Sequence, residues 1–365
     1  MVRMIRKFVV IVLVWIWIPL NAQIDRVEPP NWWSEMQRSE LQIVLYGEKL
    51  ARYEIQAPDL TLKNVIRTEN PNYLFVTVDT RDVKAGTYRI HLLENKQIVH
   101  TIDYQFLERE DGSALRKGFD SSDLIYLLMP DRFANGNLSN DSHPEMQEKA
   151  NRDHQGGRHG GDIQGIIDHL DYIAQLGATA IWSTPMCADD DEQYSYHTYA
   201  QSDVYRIDPR YGSNADYRRL SDELRKRDMG LIMDYVTNHW GLHHWMIRDL
   251  PTYDWIHQFP GYGQTNYRMQ TQMDPNASEI DLRYCADGWF VSSMPDLNQS
   301  NPLVLNYLIQ NAIWWIEYAG LSGLRVDTYS YNDKESIARW TKAIMDEYPN
   351  FNMMGEVWMH DQAQI

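Results

Sequence analysis

Two carboxylates near the end of the chain, Asp327 and Glu356, are the residues best suited by type and setting to chemistry. Each closes or follows a short apolar run, in Gly323-Leu-Arg325-Val-Asp327 and in Gly355-Glu356-Val-Trp358. A third segment, Asp234-Tyr-Val-Thr-Asn238-His239, has the same form. The runs read as buried strands. Acidic and hydrogen-bonding groups at the C-terminal ends of successive strands are where a parallel α/β barrel keeps its reactive groups. A carboxylate that attacks, beside a carboxyl that gives and takes a proton, is the apparatus of glycosidic-bond cleavage. Arg325 lies two residues from Asp327, on the same face of a strand. Its guanidinium is expected to hold that Asp ionised and oriented. Glu356 needs the opposite, a raised pKa, which burial beside Trp358 or another apolar wall would supply.

Those groups require a scaffold. From Leu124 onward strand-like runs alternate with helical patterns, and repeated β-α-β units predict a parallel sheet. Strands are expected at Leu124–Met129, Ala178–Ser183, Leu231–Val236, Leu324–Thr328 and Asn352–Val357. Between them, a helix is expected over Gln164–Leu176 with Gly177 as its stop, and a second over Asp216–Met229 stopped by Gly230. A third should run from an Asn301 cap, with Pro302 in its first turn, to Gly320. The aromatic stretch from Trp240 to about Gln299 is too long for a βα loop and too polar for a helix, so a small inserted domain is expected at about 240–299. The fold class is therefore α/β, a (β/α)8 TIM barrel over 117–365. Five strands are read where a closed barrel has eight, so the 365 residues are expected to be a truncated piece of a longer protein.

Ahead of the barrel, residues 23–116 show short β-branched or aromatic runs separated by polar turns, as in Leu41–Tyr46, Tyr73–Val78 and Gly86–Leu92. They predict a small β-sandwich, joined to the barrel through a linker at Asp111-Gly112-Ser113. Residues 1–22 have the layout of a signal peptide: Arg3, Arg6 and Lys7, an apolar run from Phe8 to Leu20, then Asn21-Ala22 before Gln23. The run is short for a membrane span and is broken by Pro19. Export to the periplasm or the medium is expected, with no membrane attachment after cleavage. The net charge of −17 argues against nucleic acid, which needs a basic face. Two cysteines, Cys187 and Cys285, make no disulfide framework. Core packing accounts for most of the thirteen Trp and 23 Tyr, and flat aromatic faces are also what sugar rings stack on.

From about Leu124 to its end the chain resembles the α-amylase family of retaining glycoside hydrolases. The likeness is strongest to the neopullulanase, cyclomaltodextrinase and maltogenic amylase group, whose starch-binding-like N-terminal domain the predicted sandwich also resembles. The resemblance implies that Asp327 is the nucleophile and Glu356 the general acid and base. It implies that His239 hydrogen-bonds the sugar in the cleavage subsite. Asp234 is then structural, holding Arg325, and Asn238 belongs to the same strand-end motif. In Tyr196-His197-Thr-Tyr199, Tyr199 would stack on the reacting sugar and His197 would hydrogen-bond it. Thr198 stands where the family usually has Gly, and is expected to narrow the site slightly. Met294-Pro-Asp-Leu-Asn298 matches a further family motif without fixing linkage preference.

Asp131-Arg-Phe-Ala-Asn135-Gly-Asn137-Leu-Ser-Asn140-Asp141, with Gly160-Gly-Asp162, resembles the group's calcium loop. Hard oxygen donors at alternating loop positions suit Ca²⁺. The implied ligands are Asn135, Asn137, Asn140, Asp141, Gly160 and Asp162. Two departures accompany the likeness. Ser330 and Tyr331 replace a Lys-His pair that contacts the next sugar, and the family's third carboxylate belongs to a later strand than any read here. Little turnover is therefore expected from residues 24–365 alone. The implied reaction is retaining cleavage of α-1,4 bonds, with α-1,6 bonds left open, in maltooligosaccharides, cyclodextrins, pullulan or starch. A transglycosylase on the same scaffold and a non-catalytic α-glucan-binding fragment are the alternatives. Relatives with this N-terminal domain pair as homodimers, which the resemblance extends to this chain.

Overall fold

The computed structural model describes residues 23–359. The predicted leader, 1–22, lies outside them. None of the described helices is long and apolar enough to cross a membrane.

Eight strands form the N-terminal part: β1 (Arg26–Glu28), β2 (Trp32–Trp33), β3 (Glu40–Tyr46), β4 (Glu54–Gln56), β5 (Thr61–Arg67), β6 (Tyr73–Asp79), β7 (Gly86–Glu94) and β8 (Gln97–Leu107). They make two four-stranded sheets, in the orders β1-β3-β6-β5 and β2-β8-β7-β4. All pairs are antiparallel except β2 with β8. Alternation places Leu41, Ile43 and Leu45 on one face of β3, yet Gln42 and Val44 are buried too. The reason is a second cover: Gln42 N–H donates to Gln310 Oε1 at 2.8 Å, and Gln310 Nε2 returns a bond to the Gln42 carbonyl at 2.7 Å. The sandwich thus lies against the helix that carries Gln310.

That helix belongs to the second part. Its central sheet holds β9 (Ile125–Leu128), β10 (Ala180–Ser183), β13 (Gly230–Val236), β14 (Gly323–Asp327) and β15 (Met353–Gly355). All are parallel, and neighbours in the sheet follow chain order. A doubly wound sheet reverses that order at a switch point; an unbroken sequence is an arc of a barrel. A two-stranded ribbon, β11 (Cys187–Ala188) with β12 (Asp203–Ile207), stands apart. The helices are α1 (Pro130–Phe133), α2 (Ile163–Asp168), α3 (Leu170–Gln175), α4 (Asn214–Arg225), α5 (Trp245–Arg248), α6 (Glu279–Ala286), α7 (Pro302–Ala319) and α8 (Lys334–Glu347). α7 is buried nearly all round, because barrel strands take one face and the sandwich the other. Its ends follow the sequence: Asn301 Oδ1 accepts the Leu303 N–H, Pro302 opens the first turn, and Gly320 closes it in the left-handed region.

Three expectations are corrected. The helix read over Gln164–Leu176 is two, α2 and α3, parted at His169, whose ring Nδ1 lies 2.7 Å from the Gly165 carbonyl oxygen. The helix read over Asp216–Met229 starts earlier, on a Ser213/Asp216 capping box, and ends at Arg225. Asp228 takes the left-handed turn, leaving Gly230 to begin β13, where a Cβ would stand 2.8 Å from Ser322. The stretch 240–299, read as too polar for helices, contains α5 and α6. Its first part is not separate: Trp240, Trp255 and Leu297 enter the main core. Asp249 is bonded by Tyr46, Asn70 and Asn72 of the sandwich at 2.6–3.0 Å. Met269, Cys285 and Tyr331 form a small second cluster, with Phe290 and Met359 against it. Both cysteines are buried and free.

Candidate active site

Sheet register assembles the site. Arg325 pairs with Asp234 across the β13–β14 ladder, and Asp327 with Val236. Glu356, the residue after β15, donates its backbone N–H to the Val326 carbonyl at 2.9 Å. Side chains two apart share a face, so Asp234, Arg325 and Asp327 converge. Arg325 Nη1 lies 2.8 Å from Asp234 Oδ1 and 2.7 Å from Asp327 Oδ1, while Nη2 lies 2.8 Å from Glu356 Oε1. One guanidinium therefore bridges three carboxylates on two neighbouring strands and at the end of a third. Trp182 Nε1 and Tyr199 OH donate to the other oxygen of Asp234, at 3.0 and 3.1 Å. The guanidinium carbon sits 5.1 Å from the Trp182 ring centre, a cation–π distance.

The electrostatics differ from the sequence-based expectation. Arg325 was to keep Asp327 ionised, but its charge is divided. Burial pushes the Asp327 carboxyl well up, and the neighbouring Asp234 adds to this; Arg325 opposes without prevailing. Asp234 is raised to about 6 by burial, again against Arg325. Glu356 does not sit in the expected apolar pocket. Oε1 meets Arg325, and Oε2 accepts the Thr328 N–H at 2.9 Å; Trp358 is half exposed.

Thr328, next to Asp327, has φ 45° and ψ 38°. A β-branched residue is strained there, and such strain persists where the surroundings over-determine it. Here the Thr328 N–H bonds Glu356, and its hydroxyl donates to Asp327 Oδ2 at 3.2 Å.

The remaining site residues fall into place. His239 is buried, with Nε2 lacking any partner. Burial lowers it to about 3, so it is neutral at ordinary pH. Asn238 Nδ2 is 3.4 Å from His239 Nδ1. His197 is lowered to about 4, chiefly by burial and then by Arg158. Its Nδ1 accepts the Tyr199 N–H at 3.1 Å. Thr198 is buried, and its hydroxyl donates to the Pro185 carbonyl.

Sequence reading missed two contributors, Trp182 and Phe290. Trp182 bonds Asp234. Phe290 lies 5.4 Å from His239 at 15° between planes, and stands within 6.5 Å of Trp358. Tyr331, at a position where the family has a residue that contacts the next sugar, is buried against Tyr267, Phe290, Met269 and Cys285. No local spacing foretells these, because they come from separate strands and from the excursion.

The loop after β9 was tested as a cation site. Asn135 Nδ2 donates to Asp141 Oδ1 at 2.7 Å, and a Cβ on Gly160 would fall 2.6 Å from that same oxygen and 2.8 Å from Asn135 Nδ2. Asn140 Oδ1 is buried without a partner. Asp162 caps α2 by accepting the Gly165 N–H, and also accepts those of Gly136 and Asn137, at 2.7–3.0 Å. Asn137 Oδ1 is taken by Ser139. Among the described residues no three His, Cys, Asp or Glu side chains gather as a metal cluster. The fit to a hard cation thus rests on the close set Asn135, Asp141 and Gly160 and on the orphaned oxygen of Asn140.

The parallel strands thus form an arc of a barrel with acidic groups gathered at their C-terminal ends. Residues 127–365 match the family described as "Alpha amylase, catalytic domain", and residues 26–110 match "Cyclomaltodextrinase, N-terminal". The chain belongs to the α-amylase family. It is 33% identical over 252 residues to neopullulanase 2 of Thermoactinomyces vulgaris, covering 66% of this chain and 39% of that protein. It is 32% identical over 251 residues to a cyclomaltodextrinase of Geobacillus thermopakistaniensis, covering 65% and 38%. Among solved structures, an Anoxybacillus α-amylase aligns with TM-score 0.56 and 36% identity, over 66% of this chain and 48% of that one. The chain spans roughly two fifths of the length of these curated relatives.

Proposed function

We propose that the chain carries the nucleophile and the acid–base residue of an exported, retaining α-glucan hydrolase. The observation that carries this is the bridging of Asp327 and Glu356 by the two terminal nitrogens of Arg325. In the first step an Asp327 oxygen forms a bond to the anomeric carbon as the glycosidic C–O bond breaks. Glu356 gives its proton to the departing oxygen. In the second step Glu356 takes a proton from water, the water oxygen bonds the anomeric carbon, and Asp327 leaves. Arg325 orients both carboxyls, and neutral His239 and His197 offer hydrogen bonds to sugar hydroxyls. Substrates are α-1,4-linked maltooligosaccharides, cyclodextrins, pullulan or starch, with α-1,6 bonds as a second target. The names of the relatives support this class of substrate.

Incubation with a fluorinated α-glucosyl fluoride tests the assignment. Mass spectrometry should find one sugar on the peptide containing Asp327, and none after Asp327→Ala. Labelling elsewhere, or equal labelling of the variant, overturns it. Transfer to a second sugar is the competing outcome, favoured by the aromatic wall of Phe290 and Trp358, where an acceptor ring can stack in place of water. Longer products at high maltose would establish it.

The loop at Asn135, Asn140, Asp141 and Gly160, with Asn137 and Asp162, is proposed to hold Ca²⁺, a structural charge that would fix the loop. Export is proposed to cleave the chain before Gln23, which N-terminal sequencing of the exported protein checks.

A further inference from the structure

The turn that presents His197 and Tyr199 is held by residues for which the catalytic steps have no use. Its 3-10 segment, Ser195–His197, is bracketed by left-handed residues, Tyr194 at φ 63° and Thr198 at φ 57°. Non-glycine residues rarely adopt that region, Thr least of all. Such a turn does not hold its own shape and must be fixed from outside.

The grip is visible. Glu148 Oε2 accepts both the N–H and the hydroxyl of Ser195, each at 2.7 Å. Arg158 Nη1 donates to the Ser195 carbonyl at 2.9 Å. Tyr211 OH donates to the Tyr196 carbonyl at 2.5 Å, and the Arg132 guanidinium lies 4.1 Å from the Tyr196 ring centre. Arg158 is an expensive residue for a core. It is 1% exposed, and its Nε and Nη2 have no hydrogen-bond partner. Asp131 and Asp208 stand 4.0 and 3.9 Å away, beyond direct bonding. The Tyr211 ring, 4.7 Å from the guanidinium carbon, shields one side. A buried cation whose only side-chain hydrogen bonds among the described residues go to Ser195 is placed for Ser195.

We propose that Glu148 and Arg158 are positioning residues that lock the 195–199 turn, so that His197 and Tyr199 meet the sugar already ordered. Neither is assigned to the chemistry. Preorganisation of this kind raises affinity by removing an ordering cost at binding. The sugar-binding consequence rests on the α-glucan reading above; the grip on the turn does not.

The test uses the full chain, with acarbose as the probe. Glu148 is only partly buried, so Glu148→Ala should fold. It should bind acarbose about tenfold more weakly by calorimetry, and backbone amides of 194–199 should exchange about tenfold faster. Amides of β13 and β14 should be unchanged. Glu148→Gln keeps an acceptor oxygen and should stay within about twofold of the parent in both measurements. Arg158→Lys should follow Glu148→Ala, because an ammonium does not reproduce the planar fork. Unchanged exchange at 194–199 in Glu148→Ala would overturn the proposal. So would exchange that rises throughout the barrel, which marks general support instead. Wild-type chain that binds no acarbose overturns the α-glucan reading, and the exchange data still decide the grip.

Discussion

Two arginines in this molecule each gather carboxylates, with opposite results. Arg109 meets Glu317 at 2.8 Å and Glu347 at 2.7 Å, where the sandwich, α7 and α8 come together. Its acids have further donors. Glu347 accepts the backbone N–H groups of Gln37 and Arg38, each at 3.1 Å, and Glu317 accepts the hydroxyls of Ser113 and Tyr348 at 2.9 and 3.0 Å. Arg325 meets three acids. It leaves them short of positive charge, and burial lifts Asp234 and Asp327. The same residue types make a joint in one place and a proton store in the other. What differs is how many acids share one guanidinium: four neutral donors back the two acids of Arg109, and four must serve the three acids of Arg325.

The largest effect is expected at the joint. Arg109→Ala leaves two buried carboxylates uncompensated and should cost about 3–5 kcal/mol in denaturant unfolding. A loss below about 1 kcal/mol would erase the distinction drawn here. Calcium asks whether a third charged locus exists. At a hundred times its dissociation constant, a bound ion stabilises by about 2.7 kcal/mol. Chelation should remove that gain and Asp141→Asn should abolish it, while an unchanged melting temperature on chelation refutes the calcium site.

Asp327→Asn sharpens the contrast from the other side. The folded-state pKa of Asp327 lies above its unfolded value, so ionising it opposes folding as pH rises. The variant should be more stable than the parent by about 1–2 kcal/mol at pH 8, and the gap should close toward pH 4. A gap that widens on acidification contradicts the reading. His197 runs the other way. Its folded pKa is lowered to about 4 from 6.5, so stability falls as pH drops below 6.5. His197→Gln should remove about 1 kcal/mol of the loss over the first pH unit of that fall, measured as the slope of unfolding free energy against pH.

The parallel order, the positions of five barrel strands and the convergence of Asp234, Arg325, Asp327 and Glu356 were legible in the sequence. Apolar runs ending in acids are a local signal, and sheet register does the rest. The environment of Glu356 was not legible, since its partner Arg325 is also the partner of two other acids, and that competition exists only in three dimensions. The break at His169 escaped for a related reason: periodicity continues across it, and the ring contact that marks it leaves no pattern. Tyr331 is legible only as a departure from the family pattern; its burial comes from the excursion, whose Met269 and Cys285 pack against it.

The two thiols have a practical consequence. Cys187 lies in β11, within the main core, and Cys285 in α6 of the excursion, each buried and free. A thiol reagent reaches either one only when its surroundings open. The chain therefore carries two built-in clocks, and the ratio of their modification rates compares how often the main core and the small cluster open.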